Sequence, residues 1–380
     1  MSRVTVVPVE EAHHEGFLAV RSMTYGDGLP PGPDAMAPRF GIERFVGLVD
    51  GEVAGICVVL PMNATRGGAL IPCGGVASVA VAPERRRGGV GNQMMDGLVR
   101  QMRDHGQPLG SLYAYREPFY AKSGYAVVGK RMRISVPTHR LPKVETSLPI
   151  RRLSPEDWRL IAPCHTAYAH ARSGVHVRNE EMWGRVLNEN RPLAIYAAGD
   201  PVEGYVAVSH KIDFWVEQFL SEVAWSTPEG YRACVDLMRQ IGINKTSVAW
   251  YEPSDSPYYA LYLDQGVETK VERPVMFRVN DVPAALRLLK PTDSGEVRLR
   301  VYDSVVPENE GPWLIRFTPA GVEVEPCEGY DVAMDIRPFA QAFLGEPSLA
   351  DLARLGVVEG DSSVLQRLLP PSPVICGDFF

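Results

Sequence analysis

A chain of 380 residues is long enough for two or three domains, and its 45% hydrophobic and 22% charged residues are ordinary globular values. The formal net charge of -7 argues against a general nucleic-acid binder and leans towards a cationic substrate. The first residues carry no apolar signal core and no apolar run is long enough to span a bilayer, so the expectation is a soluble cytoplasmic protein with no membrane partner. Cys57, Cys73, Cys164, Cys234, Cys327 and Cys376 are scattered without a CxxC or any metal-ligand spacing, and read as reduced, buried thiols.

In chain order, residues 2–9 alternate as an opening strand, and 11–23 form a helix with Phe17, Leu18 and Val20 on its apolar side. Residues 25–39 are too rich in glycine and proline for a regular element; a loop of that length in a compact domain is functional or mobile as a rule. Residues 44–49 and 52–60 flank Asp50-Gly51, a favoured hairpin turn. Residues 109–115 are a further strand, then comes the aromatic stretch 118–125, and a closing strand is predicted over 126–135.

Between the hairpin and that late strand lies the most telling stretch, residues 75–102. Val79 and Val81 alternate with Ala80 and Ala82 as in a half-buried strand, which Pro83 ends because it cannot donate to a ladder. A basic, glycine-rich turn follows, Arg85-Arg86-Arg87-Gly88-Gly89-Val90-Gly91. Met94, Met95, Leu98, Val99 and Met102 then recur at helical spacing. Glycines let backbone N–H groups approach a ligand, and a helix N-terminus adds partial positive charge, so the unit reads as a phosphate cradle. It lacks the GxxxxGK[ST] of an NTPase loop and the third glycine of a dinucleotide fingerprint. Arg86, Gly89 and Gly91 instead fit R-x-x-G-x-G after a V-x-V-x-P strand, a pattern that resembles the acyl-CoA pyrophosphate loop of GNAT acetyltransferases. A plain basic surface turn is the competing reading.

The order of elements then repeats. A helix over 157–172, a hairpin over 193–198 and 204–210, a strand over 220–226, a helix over 231–241, a strand over 246–251 and an aromatic helix near 258–262 echo the first part. The turn in the second copy is Ser226-Thr227-Pro228-Glu229-Gly230. It has lost the arginines and gained an acid, so the expectation is a repeat that no longer binds the cofactor. From about residue 274 the texture becomes α+β, with helices over 282–289, 338–344 and 348–355 and strands over 297–303, 313–318 and 322–325. The tail stiffens through Pro370, Pro371 and Pro373 and ends on Phe379 and Phe380.

Two GNAT-like units, one of them degenerate, followed by a smaller α+β domain and an aromatic C-terminus, resemble the Eis (enhanced intracellular survival) family of N-acetyltransferases along the whole chain. The resemblance implies an α/β (α+β) fold with an acetyl-CoA-binding GNAT domain over 1–138, a degenerate GNAT-like domain over 139–273 and a sterol-carrier-protein-like domain over 274–380. It implies acetyl-CoA as cosubstrate, no metal, a small-molecule amine as acceptor (aminoglycoside-like or polyamine-like) or a lysine, and a homo-oligomer, hexameric in that family. Carried over by motif, Val79, Ala80 and Val81 would bond the pantetheine arm, and Arg86, Arg87, Gly88, Gly89, Val90, Gly91 and Asn92 would hold the pyrophosphate. The aromatic-Tyr-x-x-x-Gly-Tyr pattern at residues 119–125 puts the general acid on Tyr120. The family's general base, the carboxylate of a terminal phenylalanine, falls on Phe380. An acidic residue commonly precedes that phenylalanine; here Phe379 does, with Asp378 one earlier, and this departure bears on acceptor preference.

The chemistry suits those residue types. A tyrosine, with a pKa near ~10, can protonate a leaving thiolate, and an α-carboxylate becomes a better base when burial raises its pKa. Tyr120 could instead be a core aromatic, with Tyr113, Tyr115 and Tyr125 as competing phenols, and the tail could merely fill an apolar groove. Tyr115 and Arg116, where the late strand ends, are placed to line the cofactor slot. Asp27, Asp34 and Glu117 could draw a polyamine, or be solvated loop charges. His13, His14 and His105 suggest neither a triad nor a metal set. Other enzyme and non-enzyme readings stay open at this point: another acyl-CoA or a dedicated biosynthetic acceptor, and a lipid-binding or scaffold protein using the C-terminal domain.

Overall fold

The computed structural model describes residues 3–26, 36–37, 41–190, 194–209, 216–264, 266–272 and 275–378. Three sheets organise it. The first has seven strands in the order Thr5–Pro8, Glu43–Val49, Glu52–Arg66, Ala69–Val81, Leu109–Tyr113, Val275–Val279 and Ala126–Val128. The second also has seven, running Glu268–Val271, Met132–Pro137, Ser247–Glu252, Glu217–Trp225, Gly204–Val208, Ala194–Ala198 and Ile150–Leu153. The third has five, Gly321–Pro326, Trp313–Thr318, Gly295–Tyr302, Val332–Asp335 and Val358–Gly360.

The predicted hairpin forms, with Asp50 and Gly51 both at positive φ (53° and 82°), as a tight two-residue turn requires. The predicted strand near residue 79 is much longer: it starts at Ala69, after a Gly67-Gly68 turn, and pairs with strand Glu52–Arg66 from Gly55 to Arg66. A helix over Glu180–Asn190 was not visible as a periodic pattern. In the C-terminal part the predicted elements appear within a few residues of their expected limits.

The expected closing strand over 126–135 is two strands in two different sheets. Ala126–Val128 stays at the edge of the first sheet, whereas Met132–Pro137 joins the second. Gly129 takes φ +65° between them, and a Cβ there would overlap the carbonyl oxygen of Val374 in the C-terminal tail. The vacated place in the first sheet is filled by Val275–Val279, which pairs with both Leu109–Tyr113 and Ala126–Val128. The two sheets therefore exchange strands, and limits at 138 and 273 do not follow them strand by strand. A buried ion pair, Arg278 to Asp303 at 2.6 Å, fastens the inserted strand to the third domain, while Arg278 also donates to the Ser123 carbonyl at 2.8 Å. One continuous apolar core runs from Ile71, Val128 and Phe277 of the first sheet to Phe339, Phe343 and Leu344 of the third domain. Cα–Cα separation along the chain is thus no guide to which groups share a site.

Candidate active site

The site grows from a defect in the first sheet. Strand Ala69–Val81 pairs in parallel with Leu109–Tyr113 only at Cys73, Gly74 and Gly75; beyond that the two diverge. On its other side it carries a bulge: Val58 faces Ala77 but Ile56 faces Ala80, so Ser78 and Val79 together oppose Cys57 alone. Ser78 sits at φ 51°, a conformation non-glycine residues hold only when their surroundings impose it. The Ala82 N–H donates to the Ala54 carbonyl at 2.9 Å, so by strand alternation Val79 and Val81 turn their backbone groups away from that ladder, into the opening.

The opening is a groove of about 870 Å³ lined by Tyr25, Ser78, Val79, Val81, Arg86, Tyr113 and Tyr120 among others. Two of its backbone carbonyls are already engaged. Tyr25 donates its hydroxyl to Val79 (2.9 Å), and the Arg86 Nε donates to Val81 (3.0 Å). What the strand keeps for a ligand is its N–H groups, which suit an acyl oxygen.

At the groove's end lies the glycine–arginine loop. Gly89 is the N-cap of helix Val90–Asp104 at φ 82°, and the helix buries Met94, Met95, Leu98, Val99 and Met102, as their spacing predicts. A Cβ on Gly88 would meet only the Arg85 carbonyl, at 3.9 Å, so the loop is open in front. A Cβ on Gly91 would sit 3.1 Å from the Phe119 ring, so glycine there lets the helix Glu117–Ala121, which carries Tyr120, pack against the loop. Asn92 reaches the Phe119 carbonyl at 3.5 Å across the same contact. Arg85 is held by Glu52 at 2.6 Å, and Arg86 by Val81. Arg87 is exposed and, among the described residues, unpaired, at φ 64°. These residues fit the diphosphate of coenzyme A: open glycine N–H groups, a helix N-terminus and a free cation. Replacing Arg87 by glycine should relieve the backbone strain, raising stability by about 1 kcal/mol, yet weaken acetyl-CoA binding about tenfold. Melting curves and calorimetry on Arg87→Gly read both at once.

The corresponding loop of the second sheet is shut. A Cβ on Gly230 or Gly204 would overlap backbone of the other segment, because the two chains touch there. Ser226 donates its N–H to the Glu203 carbonyl at 2.8 Å, and Thr227 bonds the Glu203 carboxylate at 2.6 Å. A glutamate and its own backbone fill the space a phosphate would need. The splay of Glu217–Trp225 from Ser247–Glu252 past Phe219 and Ala249 remains, but Tyr231, Trp250 and Ser256 converge there on the buried Glu252 carboxylate.

Of the phenols, Tyr120 meets the groove from a buried position. It is 9% exposed, lines the groove, and packs edge-on against Phe119 and Tyr125. Burial, with a smaller contribution from Tyr25, pushes its pKa up to about 12. Tyr125 is sealed in the core, Tyr115 is 96% exposed at the rim, and Tyr113 spends its proton on the Cys376 carbonyl at 2.8 Å. Arg116 lines the groove with Tyr115, whereas Glu117 is exposed and outside its lining. Asp27, Asp34, Phe379 and Phe380 lie outside the described residues.

Asp378 is not a free acid beside an acceptor. It is 6% exposed and bound to Arg178 (2.9 and 2.6 Å), with His176 at 3.6 Å. Burial would raise its pKa, but Arg178 and His176 outweigh that and hold the carboxyl well below the usual carboxylate range. Cys376 lies 3.8 Å from the same His176 nitrogen, Nδ1, that faces Asp378. A nucleophilic triad needs the two ring nitrogens shared between cysteine and acid, so this is no thiol catalyst. Among the described residues no group of three or more His, Cys, Asp or Glu is placed to hold a metal, and no helix is long and apolar enough to cross a membrane.

The ion pair borders a cavity of about 70 Å³ in the second domain, also lined by His165, Tyr205 and Glu222. Burial, then the Arg178 charge, pushes His165 down to about 4, so it is neutral although Glu222 lies 3.6 Å away. Its folded pKa lies below its unfolded value of about 6.5, so the stability it contributes is complete above that pH and is lost as pH falls towards 4. His165→Gln should therefore remove about 2 kcal/mol of the loss in unfolding free energy between about pH 7 and pH 5, read from denaturant titrations at both.

Sequence reasoning did not find Tyr25, Ser78, Arg178 or Glu222. Tyr25 could have been noticed as the last aromatic before the Gly/Pro loop; the others carry no local pattern.

Residues 5–128 match the acetyltransferase (GNAT) domain, and residues 282–377 match the sterol carrier protein domain. The chain is 29% identical to the N-acetyltransferase Eis of Mycobacterium tuberculosis over 93% of this chain and 90% of that one. It is 27% identical to an uncharacterized N-acetyltransferase of Streptomyces avermitilis over 83% of each. The structure of Eis1 from Mycobacterium abscessus superposes with a TM-score of 0.80 at 20% identity, covering 99% of this chain and 100% of that one, a likeness of fold. A bulged, splayed sheet ending in an open glycine–arginine cradle, within a chain so matched, defines a GNAT-type N-acetyltransferase with a sterol-carrier-protein-like third domain. Within that class the chain is similar along most of its length to the N-acetyltransferases named Eis, and its fold is like that of Eis1.

Proposed function

We propose that this enzyme transfers the acetyl group of acetyl-CoA directly to a primary amine of a cationic small molecule, aminoglycoside-like or polyamine-like, or of a lysine. Tyr120 is the general acid and the Phe380 carboxylate the general base. The observation that carries this is the groove itself, lined by the donor strand Val79–Val81, by Arg86 at the start of the cradle and by Tyr120. The tail is tied to the same groove through the hydrogen bond from Tyr113 to Cys376. In this scheme the amine nitrogen bonds the carbonyl carbon as the C–S bond breaks. The proton lost by nitrogen goes to the carboxylate, and the departing sulfur takes one from the Tyr120 hydroxyl. The N–H groups of Val79 and Val81 steady the oxygen while charge builds on it. Exposed Val271 on the edge strand of the second sheet, with exposed Leu261 and Leu263 shortly before it in the chain, supports self-association, with a hexamer carried over from the family resemblance.

A panel of polyamines, aminoglycosides and lysine peptides, assayed by release of free coenzyme A, tests the reading. Release above the hydrolytic background with primary amines is the expected result. Acetyl-CoA binding without release across the whole panel would overturn the proposed acceptor class.

A further inference from the structure

We infer that the second domain, whose own cradle is shut, acts as a clamp that positions the C-terminal tail, with Arg178 and Glu222 as its jaw and Asp378 as the residue it grips. This rests on the reading that the tail supplies the base. The geometry is specific. Arg178 is 9% exposed, and its guanidinium lies 4.6 Å from the centre of the Trp183 ring. One edge of its fork donates to Asp378 (Nε at 2.9 Å, Nη2 at 2.6 Å). The remaining donors bond both oxygens of Glu222, on strand Glu217–Trp225, at 3.0 and 2.6 Å. A planar guanidinium held on two sides fixes the direction as well as the distance of the carboxylate it binds.

The rest of the tail is guided into that jaw. Ser173 donates its N–H to the Pro373 carbonyl at 2.9 Å, and Ile375 returns one to the Ser173 carbonyl at 3.2 Å. On the other side, the segment bonds Thr65 of the first domain, whose carbonyl accepts from the Gly174 N–H and whose N–H donates to the Val175 carbonyl, both at 2.9 Å. Tyr113 holds the Cys376 carbonyl from the groove. One segment, 173–178, thus ties the tail to both domains. A tail that only filled an apolar groove would gain nothing from a buried aspartate, since burying a carboxylate costs free energy unless it is paired. Two residues follow Asp378, at most ~7 Å of chain, so its orientation sets where a carboxylate on Phe380 can reach.

The test compares Asp378→Asn, and Arg178→Lys as a second variant that keeps the charge but loses the fork. Each is made in the chain as it stands and in one with a single residue appended after Phe380. Acetyl-CoA affinity, measured by calorimetry, reports that the first domain is folded and should stay within about twofold, because neither residue touches the groove. The expected kcat is about 100-fold lower in Asp378→Asn, with Arg178→Lys intermediate, because a misplacement of about 1 Å at a reacting group costs on that order. Neither substitution should lower kcat further in the appended chain, where the carboxylate is already displaced. Wild-type kcat in Asp378→Asn while the appended chain is inactive overturns the clamp alone, and so does an equal fractional loss in both chains. Wild-type kcat in the appended chain overturns the carboxylate reading, and the clamp with it.

Discussion

One residue added after Phe380 is expected to lower kcat by about 10²- to 10⁴-fold, the range contributed by a positioned general base. The substitution-free design matters: no side chain is changed, and the added unit displaces the carboxylate by about 3.5 Å. The tail upstream is pinned by Tyr113, Ser173 and Arg178, so it cannot slide back to compensate. Acetyl-CoA binding should be unaffected, because the cradle residues 86–92 and the donor strand belong to the first domain. Steady-state kinetics with a responsive amine decide the matter, and unchanged kcat would remove the carboxylate from the mechanism.

Tyr120→Phe is the second large effect. Losing the proton donor for the thiolate should lower kcat by about 10²- to 10⁴-fold while KM for acetyl-CoA moves little. The ring remains to pack against Phe119 and Tyr125, so stability should hold. The pKa of about 12 gives a further check. A phenol held that high stays protonated throughout the neutral and mildly alkaline range, so Tyr120 should impose no alkaline fall in kcat below about pH 11. An activity loss centred near pH 9 in the wild type but absent in Tyr120→Phe would mean that Tyr120 titrates far lower and would contradict this, whereas one that persists in Tyr120→Phe belongs to another group.

Much of the first domain was legible because its signals are local. The alternation at 79–82, the breaker at Pro83, the arginines and glycines of 85–91 and the helical spacing of Met94 to Met102 lie within one short stretch, and each appears as expected. The shut second cradle was legible as lost arginines, although the reason it is shut, backbone contact of Gly204 with Gly230 and the reach of Glu203, was not. Strand exchange left no mark on periodicity: Met132–Pro137 and Val275–Val279 are ordinary apolar strands, and which sheet receives them is decided by tertiary packing and by Gly129 yielding to the tail. Arg178 and Glu222 escaped for the same reason. Two hundred residues separate Arg178 from Asp378, and only the folded chain makes their charges complementary. Asp378 was read by analogy with acids that face an acceptor, but its carboxylate is consumed by Arg178.

The central claim, one donor site per chain formed by the first domain, is tested most directly by isothermal calorimetry of acetyl-CoA with the whole protein and with Gly89→Val. Valine is strained at φ 82° and crowds the open N–H groups of the cradle. One acetyl-CoA bound per chain at micromolar donor is expected, with loss of that binding in Gly89→Val. Two equivalents per chain, or undiminished binding in the variant, would contradict it.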